Sequence, residues 1–276
     1  MEDRRISFDP FSPREIAEKV GTVGVAKAHM PLLQTLMLGA VAGGFIGLGA
    51  LYFTLVVSDA QLSFGVARVL GGVVFSLGLI LVVVAGAELF TGNNLLVMAW
   101  ADHQITTVEV LRNWVLVYIA NAAGAIGLAV IVYLSHHASM NSGAVAVTYL
   151  KIAAAKTALP FGEAFFKGVL CNLLVCLAVW LALAGRSVTD KVLAIVFPIS
   201  AFVAAGFEHC VANMYFIPLG IFLAGDAAPA GVNLATVNWQ GFVNNLIPVT
   251  LGNIVGGSVL VALVYYIIYR PAKPAD

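Results

Sequence analysis

Apolar residues run along this chain in six long stretches separated by short polar segments, at about 33–57, 69–100, 111–134, 162–184, 191–222 and 243–269. Each is near or beyond the roughly 20 residues a helix needs to cross a hydrocarbon core, so the pattern predicts six transmembrane helices. The second and fifth are longer than one crossing requires, and each is interrupted. Gly86-Ala87-Glu88-Leu89-Phe90-Thr91-Gly92-Asn93 breaks the second, and Gly206-Phe207-Glu208-His209-Cys210-Val211-Ala212-Asn213 breaks the fifth. Both read G-x-E-x-x-x-x-N. An acid at membrane depth costs about 2.5–3.5 kcal/mol on insertion scales. Non-helical backbone survives there only where protein buries it or it lines a watery cavity. The two breaks therefore predict discontinuous helices around a polar path, with short half-helices at about 94–100 and 211–222.

The likeness extends beyond the breaks. Asn113, Asn121 and Gly124 in the third stretch recur as Asn245, Asn253 and Gly256 in the sixth, each 132 positions on. Gly39 and Gly43 in the first stretch correspond to Gly168 and Asn172 in the fourth, 129 positions on. Three crossings per half is an odd number, so the second half enters the membrane upside down. The expected fold is an all-α membrane protein, six transmembrane helices in a 3+3 inverted repeat with broken helices two and five. The channel domain covers 31–270, its halves lying at about 31–134 and 160–270, and 271–276 form a short tail. Before it, residues 1–30 hold an amphipathic helix at about 11–30. Ser12-Pro13-Arg14-Glu15 is a capping box with proline at the first helical position. Ile16, Val20, Val23 and Val25 offer an apolar face and Arg14, Glu18, Lys19 and Lys27 a charged one. The segment suits the membrane surface or a cap on the cytoplasmic side of the bundle, where it offers a gate or a docking place for a cytoplasmic regulatory partner.

Composition fits a polytopic membrane protein: 61% of the 276 residues are apolar and 10% charged, against about 25% charged in soluble domains. The net charge of zero gives no footing for a nucleic-acid partner, which calls for a basic patch. Arg4, Arg5, Arg14, Lys19, Lys27, Arg112, Arg186, Lys191, Arg270 and Lys273 fall on one side of the predicted spans. Arg68, Lys151, Lys156 and Lys167 fall on the other. Ten against four of the 14 basic residues places both termini in the cytoplasm. No signal peptide is expected, because the first thirty residues lack an apolar run. Cys171, Cys176 and Cys210 lie in apolar runs without C-x-x-C spacing and read as buried thiols. No metal or cofactor is implied; the His136-His137 pair has no nearby cysteine or acid.

His209 is the one histidine within an apolar stretch, and it sits at a break. Imidazole changes charge near neutrality, but a buried imidazolium is disfavoured unless an anion or carboxylate compensates it. The residue is therefore either a satisfied core histidine or a donor of a hydrogen bond, or of a proton, to an arriving anion; the break favours the second. Thr91, in the other break, both donates and accepts and could orient His209 or a substrate. Asn172 and Asn213 are further neutral polar candidates. Glu88 and Glu208 suit a structural task, accepting backbone N–H groups that the breaks release. Phe75, Leu79, Leu89, Phe90, Val175, Phe202 and Phe207 read as core, a subset of them forming hydrophobic constrictions. An intramembrane enzyme would need a nucleophile beside a base, and Cys210, the direct neighbour of His209, points elsewhere on a helix.

Taken together, G-A-E-L-F-T-G-N at 86–93, N-L-L-V-C-L-A-V-W at 172–180, G-F-E-H-C-V-A-N-M at 206–214 and N-L-I-P-V-T-L-G-N-I-V-G-G at 245–257 resemble the formate/nitrite transporter family. The resemblance covers about 10–270. It implies an aquaporin-like subunit with its own pore in a symmetric homopentamer of a bacterial inner membrane, passing formate or a similar small anion. Nitrite and hydrosulfide are the alternative permeants. The NPA signature of aquaporins is absent, which counts against water or glycerol. By resemblance, the 90–93 loop is mobile and brings Thr91 to His209 across the pore, between two apolar constrictions. Leu79 and Phe202 correspond to the cytoplasmic constriction. Phe75, Leu89 and Val175, with Phe90 as a further contributor, correspond to the pore wall or the periplasmic one. Lys156 corresponds to an outer basic residue that draws anions inward, and Asn172 to a pore asparagine. Gly92-Asn93-Asn94 departs from the Ser-Thr type sequence expected of the formate channels.

Overall fold

The computed structural model describes residues 9–225 and 231–269, so Arg4, Arg5, Arg270, Lys273 and the 271–276 tail lie outside it. Every regular element among the described residues is helical. Helix α1 is Pro13–Ala28, α2 is Leu32–Val57 and α3 is Phe64–Gly86, the last ending in a π-helical turn. After the first break come a 3₁₀ turn, Gly92–Leu96, and the helical Val97–Ala101, together α4. Then follow α5 (Thr107–Leu134), α6 (Ala144–Thr157), α7 (Phe161–Ala184) and α8 (Val188–Ala205). The second break leads into α9 (Cys210–Leu223), and α10 (Trp239–Tyr269) closes the chain.

Six of these, α2, α3, α5, α7, α8 and α10, are long and apolar enough to cross a membrane. Polar caps set where three of them start. Thr106 with Glu109 and Ser187 with Asp190 form capping boxes on α5 and α8, and Asn238 caps α10. These caps satisfy amide groups that the first helical turn leaves without partners.

The two halves run in opposite directions. α2 leaves α1, and α5 starts beside it, with His29 Nε2 2.8 Å from Glu109 Oε1. α7 starts after α6 and returns to α1, where the Phe11 N–H donates to Ala184 O at 3.0 Å and Lys19 Nζ to Leu183 O at 3.2 Å. The crossings are close because glycine lets backbones meet. A Cβ on Gly124 of α5 would lie 1.8 Å from Ala40 O of α2, and one on Gly252 of α10 would lie 2.1 Å from Phe165 O of α7. The same kind of contact thus holds both halves.

α1 forms as its capping box predicts. Ser12 bonds also hold the Glu15 carboxyl below its usual range, the side-chain bond most strongly. Its Ile16, Ala17, Val20 and Ala28 are buried against the bundle, so α1 covers one end of the protein and turns Arg14, Glu18 and Thr22 outward. α6 is a second short helix at the opposite end, in the segment the hydrophobic pattern left between spans. Outward-facing Leu33, Phe64, Val108, Ile131, Phe166 and Phe197 give the bundle the apolar exterior of a chain that lies in lipid.

Candidate functional site

The two breaks are held by the same set of side chains, duplicated. In the first half, Glu88 Oε1 pairs with Lys27 Nζ of α1 at 2.7 Å. Its other oxygen accepts from Asn93 Nδ2 at 2.7 Å, and Asn93 Nδ2 also donates to Asn113 Oδ1 at 2.9 Å. Asn113 Nδ2 returns to Lys27 O at 3.2 Å. In the second half, Glu208 Oε1 pairs with Lys156 Nζ of α6 at 2.9 Å, and Asn213 Nδ2 donates to Glu208 Oε2 and Asn245 Oδ1, both at 2.7 Å. Asn245 Nδ2 returns to Lys156 O at 2.8 Å. The four charges are largely buried, with side-chain exposures of 24% for Lys27, 14% for Lys156 and 6% for each glutamate. Such charges are tolerated because each is paired and each carboxylate also accepts from an asparagine amide.

A second pair of asparagines supports the broken backbone itself. Asn121 Oδ1 accepts the Phe90 N–H at 2.9 Å while its amide donates to Gly39 O and Glu88 O. Asn253 does the same for the Cys210 N–H at 3.0 Å, donating to Gly168 O and Glu208 O. Glu88 and Glu208 therefore accept from side chains, and the released backbone groups go to Asn121 and Asn253. Sequence reasoning marked these asparagines as signs of duplication and missed this task. It also missed Lys27 as the partner of Glu88; the signal was available in the two G-x-E-x-x-x-x-N motifs, each of which needs a cation.

Two cavities reach into the bundle from opposite ends and share no lining residue. The one beside α1 has a volume of about 480 Å³; Val20, Val23, Lys27, Leu79, Glu88 and Leu89 are among its walls. The other, about 270 Å³, is lined by residues including Arg68, Phe75, Lys156, Lys167, Phe202, Phe207 and His209. Between them stand Leu79 and Leu89 on one side and Phe75 and Phe202 on the other, all at most 4% exposed. The rings of Phe75 and Phe202 meet edge to face at 5.8 Å.

His209 belongs to this barrier. It caps α9, its Nδ1 accepting the Ala212 N–H at 3.1 Å. The neutral ring therefore carries its hydrogen on Nε2, a tautomer assigned from the hydrogen-bond partners, and Nε2–H donates to Thr91 Oγ1 at 2.9 Å. The Thr91 hydroxyl hydrogen is left without an acceptor among the described residues. The Phe202 ring lies nearly parallel to the imidazole at 6.0 Å. The arrangement offers one neutral donor and one hydroxyl, each from a different half, inside an apolar collar.

The structure also separates residues that the sequence grouped. Leu79 lines one cavity with Leu89, and Phe75 lines the other with Phe202, whereas the resemblance put Leu79 with Phe202. The reason is geometric: Phe75 and Leu79 are one turn apart on α3 and reach opposite faces of the barrier. Phe90 packs on Tyr118 and Trp114, ring centroids 5.0 and 6.1 Å away, and lines neither cavity. Val175, Asn172 and Asn213 line neither as well. Asn172 sits behind the collar, donating to Thr91 O at 3.2 Å, Asn94 Oδ1 at 2.9 Å and Asn253 O at 2.7 Å.

A family description, formate/nitrite transporter, matches residues 14–267. The chain is 41% identical over 272 residues to the formate channel FocA of Escherichia coli (strain K12), covering 95% of each chain. It is likewise 41% identical to a probable formate transporter of Methanothermobacter thermautotrophicus, over 94% of this chain and 97% of that one. A solved pentameric formate channel with formate bound superimposes with a TM-score of 0.80 at 41% identity, covering 87% of this chain and 98% of that one.

Proposed function

This chain belongs to the formate/nitrite transporter family, and from that premise we propose that it is a channel for small monovalent anions, chiefly formate. The observation that carries the reading is the contact of His209 with Thr91 between two cavities that open toward opposite ends. The near full-length likeness to a formate channel, and to a pentameric formate channel with formate bound, supports formate as the permeant and a homopentamer as the assembly. The ten-to-four distribution of basic residues supports an inner-membrane orientation with both termini and α1 in the cytoplasm. In that orientation the outward face of α1, with Arg14 and Glu18, is where a regulatory partner would dock.

The apolar collar sets the problem that the site solves. A bare carboxylate there loses its hydration, at a cost of several kcal/mol or more. Nε2–H of His209 and the Thr91 hydroxyl can each donate to an anion oxygen, and a small carboxylate that also takes up a proton crosses as a near-neutral acid. Lower pH then favours import with protons, and higher pH favours passive export of the anion. A doubly protonated ring has no acceptor at Nδ1, so any proton handed over by His209 requires the Ala212 hydrogen bond to open.

Thr91→Ala is expected to lower formate flux about fivefold, the loss of roughly 1 kcal/mol of hydrogen bonding at the barrier; tracer efflux from liposomes measures it. The reading as a whole is tested by the permeant. Purified protein in liposomes should pass formate and exclude glycerol. Glycerol flux equal to formate flux would make the molecule a neutral-solute pore. Nitrite or hydrosulfide outpacing formate would reassign the permeant.

A further inference from the structure

The cavity beside His209 has a charge that the two clamps leave untouched. Three cations line it: Lys156, Lys167 and Arg68. Lys156 is neutralised by Glu208 at 2.9 Å and Lys167 by Glu163 at 2.7 Å. Arg68, half-buried in the second turn of α3, has no carboxylate partner among the described residues. Its Nε donates to Ala204 O at 2.9 Å and its Nη2 to Val203 O at 2.8 Å. These are carbonyls in the last turn of α8, and Val203 O also accepts the Gly206 N–H at 3.1 Å. Gly206 makes room for this: its φ is +76°, and a Cβ there would lie 2.9 Å from Arg68 Nη2.

Two of the five guanidinium N–H groups are thus spent on holding the side chain still. The outer edge, Nη1 and the second hydrogen of Nη2, has no partner among the described residues, and Arg68 is in the cavity wall. A guanidinium edge matches the two oxygens of a carboxylate in geometry and in charge. We propose that Arg68 is a docking point for a single small carboxylate in the vestibule, holding it before it reaches His209. The site rests on the transport reading above and extends it, because Lys156, the basic residue the sequence pointed to, is compensated by Glu208.

The test uses the full-length protein in right-side-out and inverted membrane vesicles, with the half-saturating formate concentration measured in each. Arg68→Gln keeps an amide donor for the α8 carbonyls and removes the charge; Arg68→Lys keeps the charge. The ratio of half-saturating concentrations between the two vesicle types is expected to shift about tenfold in Arg68→Gln, as expected for losing a focused local charge. Arg68→Lys should shift it less. Added salt should weaken capture by the wild type more than by Arg68→Gln. An unshifted ratio in Arg68→Gln, or an equal rise in both vesicle types, would overturn the docking role and leave Arg68 as a cap on α8. Wild-type vesicles that take up no formate would instead sink the transport reading, and this site with it.

Discussion

Glu208→Ala is expected to lower the stability of the folded protein by about 3–5 kcal/mol, the range for stripping one partner from a buried ion pair. Lys156 would be left 14% exposed with no carboxylate, and the Asn213 amide would lose its 2.7 Å acceptor. The cost should be recoverable. A Lys156→Met, Glu208→Leu double variant removes both charges, and replacing a buried pair by apolar groups is often close to neutral. The double variant should therefore be more stable than Glu208→Leu alone, an interaction that a double-mutant cycle isolates. Thermal unfolding of the purified protein in detergent measures it. A double variant no better than the single one would show that the clamp is worth more than the compensation of its charges.

Asn172→Leu is the second large effect. The substitution keeps the branched shape of the side chain and removes the donor to Thr91 O, Asn94 Oδ1 and Asn253 O. Thr91 O keeps the Cys176 thiol at 3.3 Å, whereas Asn94 Oδ1 is left bare, and a buried acceptor left without a partner costs about 1–3 kcal/mol. Function should suffer more than stability alone explains. Asn172 ties the carbonyl of Thr91 to that of Asn253, which in turn holds the start of α9 through Cys210. Releasing it frees Thr91 from its position against His209. The expected result is loss of most formate flux from a protein that still assembles, with the defect in Thr91→Ala largely absent when added to Asn172→Leu. Additive losses in the double variant would place Asn172 outside the Thr91 contact.

Much of this was legible in the sequence, because a lipid environment makes hydrophobic runs and their exceptions conspicuous. The six crossings start within a few residues of the expected places, and the early starts at Thr107, Val188 and Trp239 have a common reason. Hydropathy marks where a run turns apolar, whereas a capping residue such as Thr106 or Ser187 starts the helix inside the polar segment. The inverted repeat was readable from asparagine and glycine offsets, since those positions carry the duplicated contacts. Helix α6 was not readable: Ala144–Thr157 is too short to cross and has no capping signal. Its role in pairing Lys156 with Glu208 was hidden with it. Which cavity each apolar candidate lines was not readable, because neither cavity exists until α3, α7 and α8 pack. The Gly92-Asn93-Asn94 departure also acquires a physical meaning. Asn93 joins the clamp, and Asn94 both accepts from Asn172 and donates to Phe90 O at 3.1 Å, so this chain ties the first break with its own asparagines.

We propose that His209, a neutral donor at rest whose proton affinity an arriving anion raises, controls which anion crosses and how pH affects it. Asparagine at that position can still cap α9 and still donate, but it cannot titrate. The most direct measurement is formate flux from liposomes at about pH 5 and about pH 7.5, on either side of the unperturbed imidazole range, for wild type and His209→Asn. Wild-type flux is expected to change between the two conditions and His209→Asn flux to stay the same. The same pH dependence in both proteins would contradict it.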